Sequence, residues 1–322
     1  MPRRVDLAPV LALAAAQEGL VGADQCARLG VARAVLARRA ASGAWLRIAT
    51  GVYDTSPRSA RDHDARRRRA AWAGLLALGP GAVAVGSCAL ALLGVAGLPP
   101  TIRPEATLGE SARRPRGLVV PRQFDDGMTC VRVGGRLVAS PEWALAQAVP
   151  ELPRRNGLAV LDSVLAQRML TPRGLRRAHD LARGRRGVAR THDLWGLADA
   201  GGESPLESFA RLECVDAGLP PDRLQLEVRD DDGTFVGRGD LAWWLGDGRW
   251  LVAELDGRDV HGSPEAVYAD RVRQNAMLST GRVVLLRFTS ADLPRLAATI
   301  GRELARHRRR PAPAPAPVTA TT

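Results

Sequence analysis

Apolar residues recur at helical spacing three times in the first fifty positions and then give way to short runs. Val10, Leu11, Leu13 and Ala14 predict a helix over residues 7–17, closed by Gly19. Residues 23–29 predict a second helix stopping at Gly30, and residues 31–42 a third stopping at Gly43. Residues 45–48 and 52–53 flank a turn containing Gly51 and read as a two-stranded wing. The middle of the chain is mixed, strand-like at 83–85 and 131–133 and helical at 142–148 and 158–168. From Gly202 the order is helix, three strands, helix, strand, helix. Ser204 lies three positions before Glu207, a capping-box spacing that opens a helix ending at Gly218. Strands are expected at 224–228, 239–244, 250–255 and 282–288, with helices at 266–279 and 293–304.

These patterns predict a mixed α/β chain with a winged helix-turn-helix over 1–56, an α+β middle region over 57–201 and an α/β domain over 202–305. Residues 306–322 combine an arginine cluster with Pro-Ala alternation, a composition that cannot build a packed core and predicts a disordered tail. The length of 322 residues and a hydrophobic fraction of 46% allow several such cores. Residues 75–98 carry no charge, a run long enough to test as a membrane span. Gly79-Pro80-Gly81 interrupts it and Ser87 can cap a new helix, so two buried helices with a turn are expected instead, with no membrane partner.

Charge alters this picture through its distribution. The formal charge is +12, and all 46 basic residues are arginine, a usage that coding-DNA composition explains more simply than selection. Composition bias acts evenly, whereas residues 1–69 hold 13 arginines against 6 acids and residues 203–297 hold 11 against 17. The basic end suits nucleic acid. On the expected third helix and wing, Arg33, Arg38, Arg39 and Arg47 are the candidate DNA contacts, since such helices enter the major groove and wings reach phosphates. The plainer reading makes them solvated surface charges. The Arg66–Arg69 block reads as a solvated face or linker, with phosphate contact as the sharper alternative. Cys26, Cys88, Cys130 and Cys214 form no close pair, so neither a zinc knuckle nor a disulfide scaffold is indicated, and a cytoplasmic location is expected.

Gln17-Glu18-Gly19-Leu20, Leu29-Gly30-Val31 and Gly51-Val52-Tyr53 resemble the helix-turn-helix domain of AbiEi-type antitoxins and their actinobacterial relatives. Ser87-Cys88-Ala89-Leu90 and Leu92-Leu93-Gly94 resemble the middle domain of the same family. Where that family usually caps its second helix with threonine or serine, this chain has Gly22, a weaker cap. The resemblance implies DNA binding and a cognate toxin as partner.

The acidic domain carries the candidate chemistry. The apolar run Trp250-Leu251-Val252-Ala253 ends in Glu254-Leu255-Asp256-Gly257, and Asp240 begins another apolar run. Carboxylates ending apolar strands are costly without a cation or partner. Asp240 and Glu254 on adjacent strands, with Glu207 from a helix and Asp256 on the same strand face as Glu254, would gather oxygen ligands for a hard cation, Mg2+ or Mn2+. The plainer readings are that Glu207 only caps its helix, that His261 is a solvated loop residue, and that Asp230-Asp231-Asp232-Gly233 is a hairpin turn.

Ser204-Pro205-Leu206-Glu207, Gly239-Asp240, Glu254-Leu255-Asp256-Gly257 with His261, Asp270-Arg271-Val272-Arg273 and Gly281 with Leu286-Arg287-Phe288 resemble the restriction-endonuclease-like fold. The closer likeness is to a domain-of-unknown-function family related to very-short-patch-repair endonucleases. It implies Asp240 and Glu254 as metal ligands, Glu207 in support and His261 as proton relay. A PD-(D/E)XK nuclease places lysine two residues after the second acid; here that residue is Asp256, as is usual in the closer family. Arg271 and Arg273 are expected either to supply positive charge or to pair with Asp256 or Asp270. The expected function is a DNA-binding protein with a metal-dependent endonuclease-like domain. Its alternatives are an antitoxin or autoregulator with an inactive nuclease fold, and an RNA-directed nuclease.

Overall fold

A computed structural model describes residues 5–107, 119–123, 125–257 and 264–307. The chain is mixed α/β and divides into two compact units, residues 1–198 and 199–322. No helix among the described residues is long and apolar enough to cross a membrane.

The first unit begins with α1 (Ala8–Ala15), β1 (Leu20–Gly22), α2 (Ala23–Arg28), α3 (Arg33–Ala41), β2 (Leu46–Ala49) and β3 (Val52–Asp54). The three expected helices and the hairpin are present. β1 is an addition: three residues are too few to show periodicity, yet they pair antiparallel with β3 and give the sheet order β1-β3-β2. Val10, Ala14, Val21, Cys26, Val31, Leu36 and Trp45 form the core beneath it. The glycine cap of α2 is reinforced from inside. The Gln25 side chain accepts from the Gly22 amide at 2.9 Å and exchanges bonds with the buried Gln17 amide, tying α1 to α2.

The unit continues through α4 (His63–Leu78), β4 (Val83–Ala84), α5 (Gly86–Leu92), β5 (Glu105–Thr107), β6 (Val120–Arg122), β7 (Cys130–Val133), β8 (Arg136–Ala139), α6 (Pro141–Ala148), α7 (Arg154–Ala166), α8 (Pro172–Ala182) and α9 (Leu194–Leu197). Its five-stranded sheet runs β6-β5-β4-β8-β7. The uncharged stretch at 75–98 holds the end of α4, the strand β4 and α5, so a buried strand lies between the two expected helices.

The Arg66–Arg69 block is not a free basic face. On α4, Arg67 donates to the carbonyls of Leu98 and Pro99, Arg68 binds Glu18 at 2.6 Å, and Arg69 reaches Asp54 at 2.6 Å and the Glu18 carbonyl at 3.0 Å. Arg61 adds a second cation 3.6 Å from Asp54, which is 2% exposed. Three of the four block arginines therefore strap α4 to the surrounding chain.

The second unit comprises α10 (Pro205–Asp216), β9 (Arg223–Arg229), β10 (Phe235–Gly246), β11 (Arg249–Asp256), α11 (Pro264–Ser279), β12 (Val283–Thr289) and α12 (Leu293–Arg306), as the periodicity predicts. The sheet order is β12-β11-β10-β9, with β11 and β12 parallel and the other pairs antiparallel. Asp230 to Gly233 form the expected turn, the Asp230 carboxylate accepting from the amides of Asp232 and Thr234. Both sheet faces are covered, which is why the strands read as continuous apolar runs. Leu241, Trp243, Leu251, Ala253 and Phe288 pack with Leu296, Ile300 and Leu304 of α12 on one face. Ala242, Val252 and Val283 meet Met277 of α11 on the other.

Removing the acceptor of the α4 strap leaves two partly buried guanidinium groups without it. Asp54→Ala is expected to lower unfolding stability by about 3 kcal/mol, the usual effect of breaking a buried ion pair on one side, read by urea denaturation. A loss under about 1 kcal/mol would show that the strap is solvated and dispensable.

Candidate functional site

The strand registers place four polar residues in one line across the apolar sheet of the second unit. Leu241 pairs with Ala253 at the end of the β10–β11 ladder, and the next residues along the two strands are Asp240 and Glu254. Glu254 pairs with Arg287 on the other side. Gly239 and Leu241 pair with Leu226 and Leu224, which leaves Gln225 and Asp240 as the unpaired residues between the same two pairs. The line Gln225–Asp240–Glu254–Arg287 adjoins Leu224–Leu241–Ala253–Leu286, which is wholly apolar. The Asp240 carboxylate bonds the Leu255 amide, next in the chain after Glu254, and its charge acts on Glu254, so the two acids are neighbours at the end of this ladder.

Glu254 is 5% exposed, and neither of its carboxylate oxygens has a hydrogen-bond partner. The nearest cations are Arg273 and Arg287, each 3.8 Å away, which is ion-pair range without hydrogen-bond geometry. Asp240 is better satisfied, accepting from the Leu255 amide at 2.7 Å. Glu207, in the first turn of α10, is 8% exposed. Its amide donates to the Ser204 hydroxyl at 3.2 Å, one half of the expected capping box. The reciprocal half is diverted: Glu207 Oε2 accepts from the Glu203 amide at 3.1 Å and from Gln225 Nε2 at 2.8 Å. Capping alone does not account for that arrangement.

All three carboxyls lie above the ordinary carboxylate range. For Glu254 the cause is burial, opposed by Arg273 and Arg287 and reinforced by Asp240. For Asp240 burial dominates over the Leu255 amide, Arg238 and Arg273. For Glu207 burial again leads, with Asp240 adding to it. Asp256 has a different environment. Arg287 grips it through two bonds of 2.8 and 2.6 Å and also reaches Asp270 at 2.9 Å. Burial raises the Asp270 carboxyl, but bonds from Arg273 and Arg287 outweigh it and leave the group below its usual value. The partner of Asp256 is thus Arg287 on β12, not Arg271 or Arg273; Arg273 pairs with Asp270 at 2.6 Å. His261 lies outside the described residues.

Two residues of this site escaped the sequence pattern. Gln225 has φ +52, a left-handed value in the middle of a strand, which costs a non-glycine residue about 1–3 kcal/mol. Arg287 occurs in the sequence likeness without a role. Neither residue type marks chemistry by itself; only the register puts them on the carboxylate line.

Among the described residues no group of three or more His, Cys, Asp or Glu side chains is placed to hold a metal ion. Magnesium commonly takes only one or two protein carboxylates and completes its shell with water and substrate phosphate. Asp240 and Glu254 fit that requirement on the strength of Glu254's two buried, unbonded oxygens and an all-oxygen donor set.

In the first unit Arg33, Arg38, Arg39 and Arg47 are all exposed, on α3 and β2, and no acid pairs with them among the described residues. Leu36 anchors the opposite side of α3 in the core. They contrast with the strapped arginines of α4: the four lie at the surface, Arg47 donating to the Ala49 carbonyl at 3.4 Å.

No family model matches the chain. Two curated proteins of Mycobacterium tuberculosis are similar to it, "Uncharacterized protein Rv2248" of strain H37Rv and "Uncharacterized protein MT2308" of strain CDC 1551. Each is 33% identical over 195 residues, covering 60% of this chain and 70% of the relative.

The raised carboxyls mean that the folded chain retains protons which the unfolded chain has released. Their contribution to stability therefore falls as pH rises from the ordinary carboxylate range through the raised values. Glu254→Gln is expected to stabilise the fold by about 1 kcal/mol at pH 8, with the gain vanishing near pH 4, measured by thermal melts. A destabilised variant at pH 8 would show that the arginines already satisfy Glu254.

Proposed function

The chain belongs to the protein family of the two Mycobacterium tuberculosis relatives, and we propose that it is a DNA-binding protein whose C-terminal unit is a metal-dependent endonuclease-like domain. In this reading residues 1–56 are a winged helix-turn-helix and the second unit is a restriction-endonuclease-like, PD-(D/E)XK-type domain acting in the cytoplasm. One observation carries it: Glu254 is buried beside Asp240 with both oxygens unbonded, an arrangement that costs stability unless a cation is its purpose.

A bound Mg2+ or Mn2+ would polarise a phosphodiester and make a neutral-pH nucleophile from water. Asp240 and Glu254 would hold it, Asp240 oriented by the Leu255 amide. Glu207, raised by burial and by Asp240, is the group in this site suited to exchanging a proton. The position of the usual lysine is taken by Asp256, and the positive charge comes instead from Arg287, which Asp256 and Asp270 fix in place. Arg38, Arg39, Arg33 and Arg47 would bind the duplex backbone and groove.

A second reading draws on that same clamp. Arg287 is committed to two acids, which favours a catalytically inactive fold serving an AbiEi-type antitoxin or autoregulator with a cognate toxin.

The two are separated by incubating the protein with Mg2+ or Mn2+ and double-stranded DNA, single-stranded DNA or RNA. Asp240→Ala and Glu254→Ala are expected to reduce cleavage by about 100-fold or more, comparable to removing a principal group that stabilises the transition state. Absence of cleavage by the parent on every substrate, or equal cleavage by both variants, leaves only the regulator. In either reading Arg38→Ala with Arg39→Ala should weaken duplex binding and reduce the salt slope by about one for each phosphate no longer neutralised. Unchanged affinity would remove α3 from the DNA interface.

A further inference from the structure

We propose that Gln225 is the positioning residue of the carboxylate site, holding Glu207 beside Asp240, and that the left-handed backbone at this strand position serves that purpose. The assignment deepens the endonuclease-like reading and rests on it.

The backbone of Gln225 needs an explanation that the strand register does not provide. A positive φ in a strand commonly accompanies a bulge, where one extra residue must be absorbed. Between β9 and β10 the pairs Gly239–Leu226 and Leu241–Leu224 keep the same offset, so no extra residue is absorbed between them, although Asp240 and Gln225 do not themselves pair; the register shift of this ladder lies at Phe235 and Gly237. Gln225, with φ +52, lies at that unpaired position, in a stretch whose offset does not change. Glycine, which adopts this conformation freely, would meet the backbone demand without strain. A glutamine there is accounted for by its side chain.

That side chain is fully occupied at one end and bare at the other. Nε2 donates to Glu207 Oε2 at 2.8 Å and to the Gly201 carbonyl at 3.2 Å. Oε1 is buried with no hydrogen-bond donor. Residues two apart in a regular strand share a face, yet Leu224 packs on the α12 side of the sheet and Leu226 on the α11 side. The strand turns over at Gln225, and the amide between the two leucines meets Glu207 of α10 and Gly201. The left-handed residue thus takes the amide out of the line of the sheet and connects the strand acids to the helical one. Gln225 and Glu254 are the residues of this unit's sheet with buried, unbonded side-chain oxygens among those described, and both flank Asp240.

The test pairs Gln225→Gly with Gln225→Asn. Glycine removes the amide and the backbone strain together; asparagine tolerates the left-handed region and keeps an amide that is one methylene too short. Each variant is melted without metal and with excess Mn2+ or Mg2+, and its cleavage of the parent's best substrate is followed, with Glu254→Gln as the control that removes a ligand. The expected result is a metal-free melting temperature for Gln225→Gly at or above that of the parent. Its cleavage, and that of Gln225→Asn, should fall at least 10-fold, with a smaller metal-induced shift. A residue that merely supports the fold would lower the metal-free melt instead, and that result overturns the proposal, as does parent-like cleavage by Gln225→Gly or Gln225→Asn. If the parent and Glu254→Gln respond identically to metal and neither cleaves, the endonuclease-like reading itself has failed, and the positioning role fails with it.

Discussion

The second unit depends on the cost of placing a carboxylate pair inside an apolar sheet. Asp240 and Glu254 interrupt a four-stranded β-sheet whose neighbouring line of residues is entirely Leu, Leu, Ala and Leu. Burial disfavours both charges, and the fold answers with partial measures: a single backbone amide to Asp240, and two guanidinium groups held 3.8 Å from Glu254. The guanidinium groups cannot come closer as hydrogen-bond donors while they are engaged by Asp256 and Asp270. What results is a charge arrangement left short of compensation, with the surrounding packing strong enough to tolerate it.

That packing is supplied by covering both sides of the sheet. Trp243, Leu251 and Leu241 are almost fully buried against α10 and α12, while Ala242, Val252 and Met277 close the other side. Stability gained over the whole sheet offsets strain concentrated at one line, which is how a left-handed Gln225 and a buried Glu254 can coexist with a ladder that keeps its offset on either side of them. The first unit distributes charge in the opposite way. Asp54 and Glu18 are satisfied by arginines of the α4 strap, and the arginines of α3 and β2 remain exposed. The first unit commits some arginines to its own structure and leaves those of α3 and β2 exposed, and the second concentrates acid.

The curated relatives match over 195 residues and carry no assigned activity in their names, so the functional argument rests on the site. The likeness to AbiEi-type antitoxins and to endonuclease-like domains supplies the candidate roles. The geometry adds one observation to them, a buried Glu254 whose two oxygens have no hydrogen-bond partner.

Much was legible in the order of residues. Periodicity located the helices and strands of the second unit to within a few residues, because each element is long and has a buried face, and apolar burial is a property that sequence spacing records directly. Asp240, Glu254 and Glu207 were legible for the same reason, as acids interrupting apolar runs or opening a helix. Short elements were not: β1 has three residues and β4 two, too few for any period. Partners were not legible either. The Arg66–Arg69 block read as a solvated basic run because sequence gives charge without its neighbours, and only folding brings Glu18, Asp54 and the Leu98 carbonyl against it. Likewise the expected partners of Asp256 were Arg271 or Arg273, until the parallel pairing of β11 with β12 set Arg287 beside it, and Gln225 carried no signal until its φ and contacts were known. The sequence by itself determined which segments would be buried and where the acids would interrupt them, since hydrophobic burial is local in the chain. The tertiary structure alone decided which charges meet, since long-range pairing is fixed by strand register and helix docking.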